Sequence, residues 1–331
     1  MKTVNAYITG GIHKKNAILK ESWHTHKCGF ISRVNLEDGN IERVLSYESP
    51  ITACPSKDPS ILFLSSFYKD KLLYTCTKTE VLIYDVRNFE LVRYISLPCF
   101  NDVHHVFPKP NGHLLVAITG LDRVVEIDEK DEIVRVWSTC GELSNERFSE
   151  RIDYRKVLTT QPHKSHPNHI FSLNEDVWVT RFEQKDAINI SKPGERIAID
   201  IAKPHDGLVW KDWVVFTVID GHILFVDKFS LKVVRTVNLN QLYLDSDYSL
   251  GWCRGIAMLD TDYILVGFTR LRPTILHENI GWVRHKLGVK KSIGDMPTRI
   301  AKVDIKNMKI CWETSLEMDG LGATLHGIQV F

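Results

Sequence analysis

The sequence predicts an all-β chain folded as a six-bladed β-propeller and closed by pairing of its N- and C-terminal strands. Three observations predict it: a hairpin motif written six times, two further strands ahead of each copy, and one strand left over at the chain's end. Residues 31–35, 81–85, 124–128, 223–227 and 300–304 superpose without gaps, each an apolar strand ending in Asp or Asn. A polar turn follows, then a second strand at 91–95, 133–137 or 233–237, which is the pattern of a β-hairpin. A weaker copy at 187–191 fills the gap between the third and fourth of these.

The strands ahead of each hairpin are plainest at 105–107 and 113–119, separated by Pro-Asn-Gly, and recur at 169–173 with 177–180, 208–210 with 214–218, and 255–259 with 263–268. Four antiparallel strands in a unit of about 40 to 50 residues make a propeller blade. The chain ends on a lone first strand at 326–331 and begins with what its blade lacks, so the two ends must share one sheet. Helical periodicity is nearly absent, with room for a short helix only within 273–298.

The 331 residues, 44% apolar and 25% charged, exclude disorder and are expected to form a single domain over 1–331. Forty-two basic against 41 acidic residues leave a net charge of +1, which argues against a nucleic acid or an anionic membrane as partner. No export leader or membrane-spanning run is read, and the seven cysteines are odd in number with no CxxC spacing. A cytoplasmic protein with reduced thiols is expected; oligomeric state is not legible.

Three loops are oversized, at 9–29, 138–165 and 270–299, and the blade plan puts all three on one rim as binding loops or lids. Aligning the first strands on Val106, Ile170, Leu208, Ile256 and Ile328 places His104, Asn168, Asp206, Arg254 and His326 two positions earlier. Four positions earlier stand Asp102, His166, Pro204, Trp252 and Thr324. Strand alternation turns both sets toward the channel mouth, whereas the blade beginning near 60–66 offers nothing that aligns. Imidazoles converging on an axis with Asn and Asp beside them suit a divalent transition metal, Zn, Fe, Cu or Ni in preference to Ca. The expected ligands are His104, His326, His205, Asn168 and Asp206, with phase favouring His166 over His205 as the third imidazole. His24, His26 and Cys28 form a local HxHxC, read as a polar loop more readily than as a ligand set.

At Pro167-Asn168-His169-Ile170 and His205-Asp206-Gly207-Leu208-Val209-Trp210 the chain resembles the first strands of the six-bladed lactonase and strictosidine-synthase-like propellers. That resemblance implies Asn168 and Asp206 as ligands of an axial metal, although His104, His326 and Arg254 stand where oxygen ligands would be wanted. The stretch from His104 to Val116, followed by Val124-Val125-Glu126-Ile127-Asp128, is more faintly similar to arylsulfotransferase propeller repeats. The expected function is a metal-dependent hydrolase or lyase acting on a small anionic molecule. Asp102 or His166 would be its general base, and Arg254 with Arg123, Arg181, Arg270 and Trp252 would hold the substrate. A redox-active ion on the same ligands would make it an oxidoreductase, and a non-catalytic interaction scaffold is the other alternative. No GxSxG elbow, P-loop or dinucleotide fingerprint is present.

Overall fold

The structure, a computed structural model, describes residues 5–15, 25–141, 147–243, 248–271, 294–317 and 320–331. Six four-stranded antiparallel sheets form the predicted six-bladed propeller. The closing blade runs, from the axis outward, Ala323–Val330, Asn5–His13, His26–Asn35 and Ile41–Tyr47. Blades 2 to 6 follow in chain order, with innermost strands Ser65–Lys69, Val103–Pro108, Pro167–Leu173, Leu208–Trp210 and Trp252–Met258.

The repeated Asp or Asn is a turn former. Its side-chain oxygen accepts backbone N–H groups just beyond the third strand of each blade, which fixes a tight polar turn. Asp85 takes the N–H of Arg87, Asp128 those of Lys130 and Glu132, Asp227 that of Ser230, and Asp304 those of Lys306 and Asn307. Asn35 takes that of Glu37. In the weak fourth copy the turn is made by Asn189, which accepts from Ser191 and Lys192, so that hairpin starts two residues earlier than the sequence alignment gives.

Third strands such as Val81–Asp85 are buried along their whole length, because both faces of a blade pack against neighbouring blades. This is why they read as unbroken apolar runs rather than alternating ones. Six apolar clusters result, one at each blade-to-blade interface. Each fully buried Phe or Leu in them, Phe30, Phe63 and Leu73 among them, contributes about 1.5–3 kcal/mol. The chain ends meet as expected: Ala6 pairs with Val330 and Ile8 with Ile328, and the Tyr7 ring stacks on Phe331 at 4.2 Å.

The loop boundaries need correction. Strand pairing reaches His13 and resumes at His26, so the ends of 9–29 belong to the closing sheet. The described part of 138–165 is tied down: Asn101 Nδ2 donates to the carbonyls of Tyr154 and Val157, and Lys156 Nζ to those of Ile51 and Cys54. Residues 272–293, most of the expected lid, and His24 of the HxHxC lie outside the described residues. No described helix is long and apolar enough to cross a membrane.

Candidate functional site

All six innermost strands line one axial cavity of about 270 Å³. Its apolar wall includes Leu64, Phe107, Phe171, Leu208, Ile256 and Ile328, and its polar groups include His104, His105, Asn168, His169, His205, Asp206 and His326. Of the five residues predicted two places before the anchors, four line it; Arg254 does not. None of the five predicted four places before does.

The reason is a bulge repeated around the ring. In blade 3, Val103 pairs with Ile118 and His105 with the adjacent Ala117, leaving His104 unpaired. Asn168 is skipped in the same way in blade 4 and His326 in the closing blade. Blade 6 sets Arg254 and Gly255 against Gly267 alone, and blade 5 sets residues 205–207 against residues 216 and 217. One extra residue per strand breaks the alternation and turns consecutive side chains toward the same space. Hence His105 lines the cavity beside His104 and His169 beside Asn168, although neither His105 nor His169 was predicted as a site residue. The expectation that phase favours His166 over His205 fails for the same reason: His205 lines the cavity. Blade 2, whose strands pair without interruption from Ser65 to Lys69, contributes Ser65, Ser66 and Phe67.

Hydrogen bonds to the backbone fix the imidazoles. His104 Nδ1 lies 2.8 Å from the Asp102 carbonyl oxygen, which can only accept, so Nδ1 carries the proton. His105 Nδ1 lies 3.2 Å from the Ile170 N–H, which can only donate, so in His105 the proton sits on Nε2. Both rings are neutral at pH 7. Burial pushes His104 down to about 4 despite the Asp102 carboxylate, and takes His105 well below the ordinary imidazole range. Burial likewise brings His169, whose ring is tilted against that of His105 with centroids 3.9 Å apart, down to about 4. His205 Nδ1 lies 3.6 Å from Asp206 Oδ1, and burial lowers its pKa against the pull of that carboxylate. Burial alone would raise Asp206; its contacts with His205 and Thr217 hold it below the usual carboxylate range.

A second histidine group lies behind His104. The His166 ring is 4.9 Å from that of His104, and its Nδ1 is 3.2 Å from His163 Nδ1. His163 Nε2 in turn stands 4.0 Å from Asp102 Oδ2. Burial would raise the Asp102 carboxyl, but His104, Lys78, His163 and His166 hold it well below its ordinary value. Asp122, which no sequence motif marks, shapes this group by accepting the N–H groups of Lys164, Ser165 and His166. Asp102, Asp122 and His166 all adopt left-handed backbone, with φ of 51°, 51° and 53°, a conformation non-glycine residues hold only where surroundings impose it.

The predicted substrate-holding side chains are engaged elsewhere. Arg181 is paired with Asp186 and donates to the Thr139 carbonyl, and Arg270 is paired with Glu317. Arg123 lies 5.9 Å from the Phe148 ring, in a small separate pocket that shares no residue with the axial cavity. Trp252 lies under the Arg254 guanidinium at 4.7 Å.

A metal held as the lactonase resemblance implies would need Asn168 and Asp206 as free oxygen ligands. Asp206 Oδ2 already accepts the Thr217 hydroxyl and the Gly255 N–H. The Arg254 guanidinium lies 3.3 and 3.4 Å from the two ring nitrogens of His326, placing a positive charge against a predicted ligand. Among the described residues no three His, Cys, Asp or Glu side chains converge as a metal ligand group. As placed, His104, His205, His326 and Asp206 thus do not form the ligand group that the sequence predicts.

No protein-family model matches the chain, and no curated protein matches it. Among solved structures, the chain is similar to a protein from Bacteroides caccae described as of unknown function. The TM-score is 0.61 and the identity 14%, over 100% of this chain and 99% of that one. At that identity the likeness concerns the fold alone, and the two chains share the propeller along their whole length.

Proposed function

We propose that this propeller is an enzyme, a hydrolase or lyase, that binds a small organic molecule in its axial cavity and moves protons with neutral imidazoles. The observation that supports this reading is the opposed tautomers of His104 and His105, neighbours in sequence that line the same cavity. His104 has an unprotonated Nε2 and can serve as general base. On taking a proton it becomes an imidazolium whose Nδ1 lies 4.0 Å from Asp102 Oδ1, so the carboxylate stabilises the charge as it forms. Asp102 therefore assists the base rather than acting as one. His105 keeps its Nε2 proton and polarises a carbonyl oxygen as a neutral hydrogen-bond donor, which needs no transfer of that proton.

Long-range ¹⁵N NMR of the histidine side chains at neutral pH tests the tautomers directly: His104 should carry its proton on Nδ1 and His105 on Nε2. In D₂O, chelator-treated protein should exchange or consume protons adjacent to the carbonyl in a panel of small carbonyl compounds. His104→Gln should slow that reaction by about 10²–10⁴-fold. Reversed tautomers, or an activity that disappears on chelation and returns with added metal, would overturn the reading.

A further inference from the structure

We infer that the axial cavity selects an uncharged ligand carrying an N–H or O–H donor beside a carbonyl oxygen, with an apolar body. This rests on the cavity's being the ligand site as proposed above, and it adds the class of molecule. Four buried polar atoms of the lining have no partner among the described residues, Ser66 Oγ, His105 Nε2, Asn168 Oδ1 and His205 Nδ1, and the two whose donor or acceptor character is fixed by their neighbours, His105 Nε2 and Asn168 Oδ1, define opposite halves of the pattern. His105 Nε2 carries a proton, because Nδ1 receives the Ile170 N–H; it is a donor waiting for an acceptor. Asn168 Oδ1 is an acceptor waiting for a donor, since Nδ2 of the same amide is bound to the Pro204 carbonyl at 3.3 Å and that contact fixes which way the amide faces. Asn168 is 3% exposed and His105 1%, so neither atom is paired by bulk solvent.

The charge of the ligand follows from the rest of the lining. No Lys or Arg is among the residues that line the cavity, and its one ionised group, Asp206, is an anion. An anionic ligand would therefore be desolvated against a carboxylate with no cation facing it. A cationic ligand is disfavoured because one Asp206 oxygen is already held by two donors and the other stands beside His205. What remains is a neutral donor–acceptor pair, with Phe107, Phe171, Ile256 and Ile328 to cover carbon. A small cyclic secondary amide is the simplest molecule of this kind. The inference departs from the anionic substrate that the sequence led us to expect.

The test is a ligand-observed NMR titration of the full chain at neutral pH with five matched six-membered or five-carbon probes. These are 2-piperidone, N-methyl-2-piperidone, δ-valerolactone, 5-hydroxyvalerate as the anion and piperidine as the cation. Wild-type protein should bind 2-piperidone at least tenfold tighter than its N-methyl analogue, the lactone and either ion, because a site built to pair buried groups rejects an analogue that lacks the partner. Asn168→Leu should bring 2-piperidone and its N-methyl analogue within about twofold of each other, whereas Arg270→Gln, outside the cavity and paired with Glu317, should keep the wild-type order. The wild-type order is itself decisive if a variant does not fold. Tightest binding of the anion or the cation, equal binding of the two amides, or no binding of any probe would overturn the inference. The outcomes separate from those above: a reversed tautomer at His104 alone with the order intact would remove the proton chemistry and leave the ligand class, and the expected tautomers with the order lost would do the opposite.

Discussion

The inner strands of blades 2 and 3 are neighbours on the same axis, and they differ by one residue of pairing. Ser65–Lys69 pairs with its partner strand without interruption and brings Ser65, Ser66 and Phe67 to the cavity. Val103–Pro108 carries a bulge and brings His104 and His105 side by side, with protons on opposite nitrogens. The straight strand completes a wall; the bulged one builds a pair of complementary hydrogen-bonding groups. The ring obtains its chemistry by repeating that one-residue irregularity in five blades, and the apolar interfaces between the blades hold the resulting side chains in place.

The largest expected effect comes from removing a bulged strand altogether. Deleting residues 325–331 takes away most of the closing blade's inner strand, the residues facing Ala6 to Gly10, and exposes the apolar cluster of Leu325 and Ile328. The cooperative thermal transition should be lost; a truncated chain that melts with the full transition would show that closure does not depend on this strand.

A pH series sharpens the comparison between the two kinds of strand. His104 and His169 are lowered to about 4, chiefly by burial, whereas an unfolded histidine titrates near 6.5. Below pH 6.5 the unfolded chain binds more protons than the folded one, so stability falls as pH drops from about 6.5 to about 4. Each residue accounts for a loss on the order of 3 kcal/mol across that window. Thermal melts at intervals of pH should show the decline. His104→Gln and His169→Gln should each flatten it, while Ser66→Ala in the straight strand should leave its slope unchanged.

A smaller effect is expected at the rim. Arg270 was read from the sequence as a substrate contact, yet it forms a partly exposed pair with Glu317, worth about 1 kcal/mol or less. Arg270→Gln should lower the melting temperature by a few degrees at most and leave binding in the axial cavity as it was; a tenfold loss of binding would return this residue to the site.

How much of this was legible follows the same division. The hairpins were readable because a side-chain oxygen at the end of each third strand makes its own turn, a chemical mark that a sequence carries openly. Four of the residues aligned from the first strands do line the cavity, because the apolar anchors fix their level along the axis. Their phase was not readable, since alternation presumes an uninterrupted ladder and a bulge costs only one residue. A signal existed in three blades, where Asp206, Arg254 and His326 are each followed by glycine. A Cβ on Gly327 would stand 2.3 Å from Ser66 Oγ, and Gly255 has a φ of +76°, so both need glycine. Blades 3 and 4, with His104-His105 and Asn168-His169, carry no such mark. The arginines misled because a cation near a channel reads alike whether it awaits a ligand or is already held by Asp186 or Glu317.

The shared sheet of the two chain ends also sets an order in time. Asn5–His13 is made early, but the strand that covers its inner edge, Ala323–Val330, is made more than three hundred residues later. Throughout synthesis that edge stays open, a template for any extended segment nearby. The five middle blades can each form from local hairpins, whereas the ring closes only by pairing residues more than three hundred positions apart, a kind of pairing that forms slowly. The ring strand that comes last in chain order is thus the one that brings His326 to the axis, and the cavity comes into being only as the ring shuts.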